Sequence, residues 1–199
     1  YEAYRYFDGC TKLRSWICMP LIAGLQNRSE GTVRALLGKE LMTENGLLTE
    51  QGSSTFWDRS TLYALRGIYI AGQADRATEF LSHYARRRLL GDHVPYPIEA
   101  WPEGSQRHLA AESGLFCRVI TEGLFGIRPT GFRSFDLTPS MPSGWNRMAL
   151  RHIRAFENNF DLVIEKQPDG FLRVTLAISG RNPRAFRLRQ GASLRIKLP

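Results

Sequence analysis

Residues 95–129 read PYPIEAWPEGSQRHLAAESGLFCRVITEGLFGIRP. This is a proline-stiffened loop running into a long apolar helix. The stretch gathers three carboxylates, Glu99, Glu103 and Glu112, with Trp101, His108 and Arg107, side chains suited to stacking on or hydrogen-bonding a sugar. Functional groups concentrate in loops that a rigid scaffold presents, and the helix that follows is that scaffold. Leu115, Phe116, Val119, Ile120 and Phe125 recur on its core side. Glu112 precedes Leu115 and Phe116 by three and four residues, so it points to the same side. A carboxylate facing an apolar stripe is costly unless it is paired or used.

Upstream of this stretch the periodicity is helical. Residues 1–26 read as helical with a break: Tyr4, Phe7, Leu13, Trp16, Ile17 and Leu21 recur at helical spacing, interrupted by Asp8-Gly9 and Pro20. A second helix carries Val33, Leu36, Leu37 and Leu41 on one stripe and stops at Asn45-Gly46. The loop GLLTEQGSSTFWDRS (46–60) ends in a capping box, with Thr55 accepting from a helical amide and Asp58 reaching back. A third helix through Leu62, Leu65, Ile68 and Tyr69 and a fourth through Ala77, Phe80, Leu81 and Tyr84 form a hairpin about Gly72-Gln73-Ala74.

Downstream, from Gly131, the period changes to two. Met148-Leu150-His152, Phe160-Leu162-Ile164, Leu172-Val174-Leu176-Ile178, Phe186-Leu188 and Leu194-Ile196-Leu198 alternate with polar neighbours, and Pro168-Asp169-Gly170 is a hairpin turn. Helices followed by an antiparallel sheet define an α+β chain of two modules, 1–130 and 131–199, with the seam near Pro129-Thr130-Gly131.

Composition narrows the classes. A chain of 199 residues with 43% hydrophobic content has ample material for a packed core. It holds no apolar run long enough to span a bilayer, so no membrane span is expected. The chain opens on YEAYRYF without a Met, so a missing N-terminal part of the same protein is expected as its partner, and the compartment is open, with a periplasmic or extracellular location in view. The net charge of +8 is carried mostly by Arg, which favours bidentate contacts over diffuse attraction. The arginines are spread along the chain, and the run Arg86-Arg87-Arg88 reads as a solvated helix end complementing the helix dipole. Nucleic acid is therefore the least favoured partner. Cys10, Cys18 and Cys117 lack metal-ligand spacing and read as buried free thiols, Cys117 as core packing within its helix, and no metal is expected.

Two segments carry a resemblance. Residues 118–156, RVITEGLFGIRPTGFRSFDLTPSMPSGWNRMALRHIRAF, resemble the junction in cellobiose-phosphorylase-like and α-L-rhamnosidase-like proteins where the last helix of a six-hairpin (α/α)6 barrel passes into a C-terminal β-domain. Residues 46–65, GLLTEQGSSTFWDRSTLYAL, are similar to a loop and helix of the trehalase branch, with Trp57-Asp58-Arg59 where that branch has Trp-Arg-Gly. The resemblance implies that residues 1–130 are the last helical hairpins of an (α/α)6 toroid and residues 131–199 an antiparallel β-sandwich-like domain. It also implies a glycosidase that inverts configuration, needs no cofactor and acts on oligosaccharides or polysaccharides, with the general acid upstream of this chain. Alternatives are a phosphorylase or a polysaccharide lyase on a similar barrel, or a non-catalytic carbohydrate-binding or assembly module.

Glycoside hydrolysis needs one protonated and one ionised carboxyl group across the scissile bond. Glu99 in Ile98-Glu99-Ala100-Trp101 is similar to the Glu-x-aromatic that carries the general base in the glucoamylase-like and rhamnosidase-like barrels; the alternative is a loop carboxylate that pairs with Arg107. Glu112 is the second catalytic candidate, against a buried carboxylate paired with an Arg. Substrate-binding candidates are Glu50, Trp57, Asp58, Arg59, Trp101, Arg107 and His108. The tryptophans could stack on pyranose faces or simply fill core. Asp58 is already explained by its cap, and Glu103 before Gly104 reads as a turn residue.

Overall fold

The computed structural model describes residues 1–90, 95–100, 110–155 and 157–199. The chain divides into two compact units, Tyr1–Leu124 and Phe125–Pro199. The sequence placed the seam a few residues later, at Pro129-Gly131, which lies within a strand, β3 (Ile127–Gly131).

The first unit is built on one helix, α3 (Asp58–Ile70). Leu62, Ala64, Leu65, Ile68 and Tyr69 on it are at most 1% exposed, so it is buried on nearly every side. Against it pack α1 (Met19–Ile22) after a 3-10 turn at Ser15–Cys18, α4 (Ala74–Tyr84) and α5 (Ala110–Arg118), the last continued by a π-helical turn at Val119–Leu124, while α2 (Ser29–Leu36) packs on the 3-10 turn. Two glycines permit the close packing. A Cβ on Gly67 would stand 3.0 Å from Leu21 of α1, and one on Gly123 would stand 3.1 Å from the Tyr69 ring. A two-stranded hairpin, β1 (Met42–Thr43) and β2 (Gly46–Leu47), pins the start of α3: Leu47 N–H donates to Thr61 Oγ1 at 2.9 Å, and Trp57 N–H donates to Leu47 O at 3.0 Å.

The second unit is all antiparallel strand. One sheet has the order β3-β4-β9, with β4 at Ser134–Leu137 and β9 at Leu194–Lys197. The other runs β5-β6-β7-β8, with β5 at Arg147–Ala155, β6 at Asn158–Lys166, β7 at Phe171–Ile178 and β8 at Arg184–Arg189. Leu162, Ile164, Leu172, Val174 and Leu176 are fully buried on one face, as strict alternation requires. The Phe135 ring of β4 stacks on the Phe160 ring of β6 with centroids 6.0 Å apart, so the two sheets share a core. Position 126 requires glycine on two counts, its positive φ of +65° and the 1.9 Å that would separate a Cβ from Thr138 O.

Several expectations are corrected. The toroid is the largest: the described residues hold five α-helices of 4 to 13 residues and nine strands in three antiparallel sheets. Among the described residues only α3 and α4 are consecutive helices joined by a tight turn, α2 gives way to a β-hairpin, and no ring of helical hairpins is evident. Hydrophobic period sets which side of a helix is buried, but says nothing about how many hairpins stand beside it. Residues 1–14 are not helical; Tyr4 N–H instead donates to Thr32 Oγ1 of α2 at 3.0 Å, and Arg14 bridges to Glu50. The capping box does not form either. Trp57 is the N-cap of α3 with no side-chain cap bond, and Asp58 is turned inward.

Candidate functional site

Asp58, the first residue of α3, is 1% exposed. A buried carboxylate requires partners, and it has them. Arg88 donates to both of its oxygens at 3.3 Å, and the Ile98 N–H donates to Oδ2 at 2.8 Å. Arg88 comes from a π-helical turn, Ala85–Leu89, at the end of α4 and is itself 3% exposed. This corrects the reading of Arg86-Arg87-Arg88 as a solvated helix end: the third arginine is a buried partner, while Arg87 reaches Glu44 and Asn45. The Tyr84 phenol lies beside the pair, and burial, followed by the Asp58 charge, holds it well above its usual value.

The Asp58–Ile98 bond fixes the loop that presents Glu99. Ile98 and Ala100 are buried on either side of it, so Glu99 is turned outward with its side chain 47% exposed. There it meets Arg59, the residue after Asp58. Arg59 Nη1 lies 3.0 Å from Glu99 Oε1, and Nε donates to Glu112 Oε1 at 2.6 Å. One guanidinium thus joins both catalytic candidates. Burial lowers the Arg59 pKa, but the Glu112 hydrogen bond and the charges of Glu112 and Glu99 more than offset it, leaving a net rise.

The two carboxylates differ in access. Glu112, in the first turn of α5, has no exposed surface, and its Oε2 has no hydrogen-bond partner among the described residues. An unsatisfied buried acceptor costs about 1–3 kcal/mol, and such costs are retained where the arrangement serves a purpose. Glu112 thus holds Arg59 from the buried side, and Glu99 is the more exposed of the two carboxylates.

Along α3, Tyr63 and Arg66 follow Arg59 at i+4 and i+7 and share its face. The Trp16 ring packs edge-on to Trp57 at 5.6 Å and tilted to Tyr63 at 5.8 Å. Arg66 Nη1 lies 3.1 Å from Glu122 Oε2, and Arg118 also bonds Glu122. Burial, followed by the opposing pull of Glu122, leaves the Arg66 pKa below its usual value. The result is a stripe of alternating arginines and carboxylates beside an aromatic trio.

The other sequence candidates fall elsewhere or outside view. Glu50 is held by Lys12 at 2.7 Å and Arg14 at 3.1 Å, and the Lys12 hydrogen bond is the main cause of its lowered pKa. Trp101, Arg107 and His108, with Glu103, lie outside the described residues. Trp57, Asp58, Arg59, Glu99 and Glu112 come together around the start of α3. Sequence reading missed Trp16, Tyr63, Arg66, Arg88 and Glu122. The i, i+4, i+7 spacing from Arg59 was available to flag Tyr63 and Arg66, whereas no local signal marked Arg88.

Among the described residues no group of three or more His, Cys, Asp and Glu side chains is placed to hold a metal, and no helix is long and apolar enough to cross a membrane. No protein-family model and no curated protein matches this chain.

Proposed function

We propose that this chain is part of a glycoside hydrolase, with Glu99 as the general base that activates water and with the protonating acid supplied from outside these 199 residues. The observation that carries this reading is the Arg59 bridge, which holds one half-exposed carboxylate by an arginine anchored on a buried second one. A base must be both reachable and aimed, and among the two candidates Glu99 alone meets the first condition. The Arg59 fork and the anchoring of Ile98 by Asp58 supply the second. The resemblance of residues 118–156 and 46–65 to carbohydrate-active proteins supports the substrate class. Trp57, edge-on to Trp16, supplies an aromatic surface beside the acids, which suits the apolar face of a sugar ring.

Activation of water by Glu99, rather than direct attack, places the incoming oxygen opposite the leaving group and inverts the anomeric centre. The test is proton NMR of the first sugar released by the whole protein from a panel of neutral and uronate-bearing oligosaccharides. Inverted product supports the reading. Retained configuration, or no hydrolysis of any member, overturns it. Sugar 1-phosphate formed only when phosphate is added would assign a phosphorylase instead.

A further inference from the structure

The charge of this chain is unevenly placed. Of its 27 Lys and Arg and 19 Asp and Glu residues, Phe125–Pro199 holds 13 cations and 5 anions, so the entire net charge of +8 resides in the all-β unit. Each of those five carboxylates is already paired with an arginine: Asp136 with Arg195, Glu157 with Arg133, Asp161 with Arg151, Glu165 with Arg147, and Asp169 with Arg187. The surplus cations therefore have no internal acid to neutralise them among the described residues.

Two of these surplus cations, Arg173 and Arg189, stand on the outer face of the four-stranded sheet beside the paired Arg187. In the register Arg147↔Glu165, Glu165↔Arg173 and Arg173↔Arg187, one row across all four strands reads cation, anion, cation, cation. Arg189 stands opposite Phe171 on the same face, and the Phe171 ring lies beneath both Arg187, at 3.6 Å, and Arg189, at 5.6 Å. Like charges directly opposite one another destabilise a sheet. Guarding an edge strand against pairing would account for Arg187 and Arg189 on β8, but not for Arg173 on β7, which has a strand on each side.

We propose that this face binds an acidic polysaccharide, the carboxylates or sulfates of successive sugars meeting the guanidinium groups of Arg173 and Arg189, with Arg187 between them held by Asp169. This rests on the glycan reading above for its choice of polymer. Guanidinium forks match planar carboxylates and sulfates, and adjacent strands, about 4.8 Å apart, offer charges at intervals close to the length of one pyranose. Nucleic acid is less well served: the Phe171 face is already covered by arginine, which leaves it no free platform for base stacking.

The test compares the protein with a double variant, Arg173→Gln with Arg189→Gln. Neither side chain bonds a carboxylate among the described residues, so the fold is expected to persist, and a melting curve checks this. Binding is measured to polygalacturonate, heparin, an uncharged β-glucan and a random single-stranded DNA. The expected result is binding to polygalacturonate or heparin that weakens with salt and falls about five- to tenfold in the double variant, as two modest exposed contacts would give, with no binding to the glucan. Equal binding by parent and variant, or equal binding to the uncharged glucan, overturns the proposal. Preference for DNA over both acidic glycans also overturns it and reassigns the face. Hydrolysis is followed separately by the product NMR above, in parent and double variant alike, so failure of the hydrolase reading and failure of this one are separable.

Discussion

The Arg59 Nε–H donates to Glu112 Oε1 at 2.6 Å, and that carboxylate has no exposed surface. The bond ties the second residue of α3 to the first turn of α5, fifty-three positions away, and leaves the outer nitrogens of the guanidinium to meet Glu99. Glu112→Gln keeps an acceptor but removes the charge. Since a third of Arg59 is exposed, the expected loss of stability in urea unfolding is small, about 1 kcal/mol. The expected loss of kcat is larger, about 10- to 100-fold with KM little changed, because a misplaced base costs rate more than binding. Arg59→Lys should not restore the rate, since a point charge cannot hold two carboxylates as a fork does.

Asp58 and Arg88 are both almost fully buried. Arg88→Met strands a buried carboxylate, so unfolding free energy should drop by about 3–5 kcal/mol. Asp58→Asn combined with Arg88→Met should cost less than Arg88→Met alone, because the second change removes the stranded charge. Chemical denaturation of the single and double variants checks this. A double variant as unstable as the two singles combined would show that the two groups do not act as a pair.

How much of this was legible beforehand varies by element. The run Leu172-Val174-Leu176-Ile178 announced β7 because alternation is a local property, and the Pro168-Asp169-Gly170 turn is bonded as its residues suggest, with Phe171 N–H donating to Asp169 Oδ1 at 3.0 Å. The stripe of α3 was equally plain. The inward turn of Asp58 was not, because its partner Arg88 stands thirty residues later and an exposed cap explained the same residue locally. Glu112 was marked as anomalous by its position on an apolar side, yet the sequence did not name Arg59 as its partner. Residues 1–14 carry helical spacing but form no helix, since Tyr4 bonds α2, Cys10 N–H closes a turn on Phe7 O, and Lys12 and Leu13 bond Glu50 and Gln51. The toroid was inferred from a junction motif, and a motif fixes the elements it spans, not the architecture around them.

In the all-β unit, Asp136, Asp161 and Asp169 all lie below their usual pKa, held there chiefly by the Arg195 side chain, the His152 N–H and the Phe171 N–H respectively. A depressed folded value means the folded unit binds protons less readily than the unfolded chain. The stabilisation is therefore complete above the ordinary Asp value near about 4 and is lost as pH falls through the lower folded values. Thermal midpoints should be flat at mildly acidic pH and drop below about pH 4. Arg195→Gln should make that drop shallower. An unchanged acid limb would remove Asp136 from the account.

The three thiols should separate by access. Burial pushes the Cys18 thiol up to about 12, but Cys117 is exposed and Cys10 half-buried, so the expectation of three buried thiols, with Cys117 in the core, holds for Cys18 alone. The thiolate is the reacting form. Titration of the native protein at mildly alkaline pH with a disulfide reagent should modify Cys117 readily and leave Cys18 untouched until denaturant is added. Modification of Cys18 in the native state, located by mass spectrometry, would contradict its placement beneath α3.

The central claim is that Glu99 activates water, and the most direct measurement is kcat for Glu99→Gln in the whole protein, alongside its affinity for the same sugar. Removing a general base should lower kcat by about 10²- to 10⁴-fold while binding is retained, because Gln keeps the shape and an acceptor for Arg59. A Glu99→Gln enzyme that turns over as fast as the parent would contradict the account.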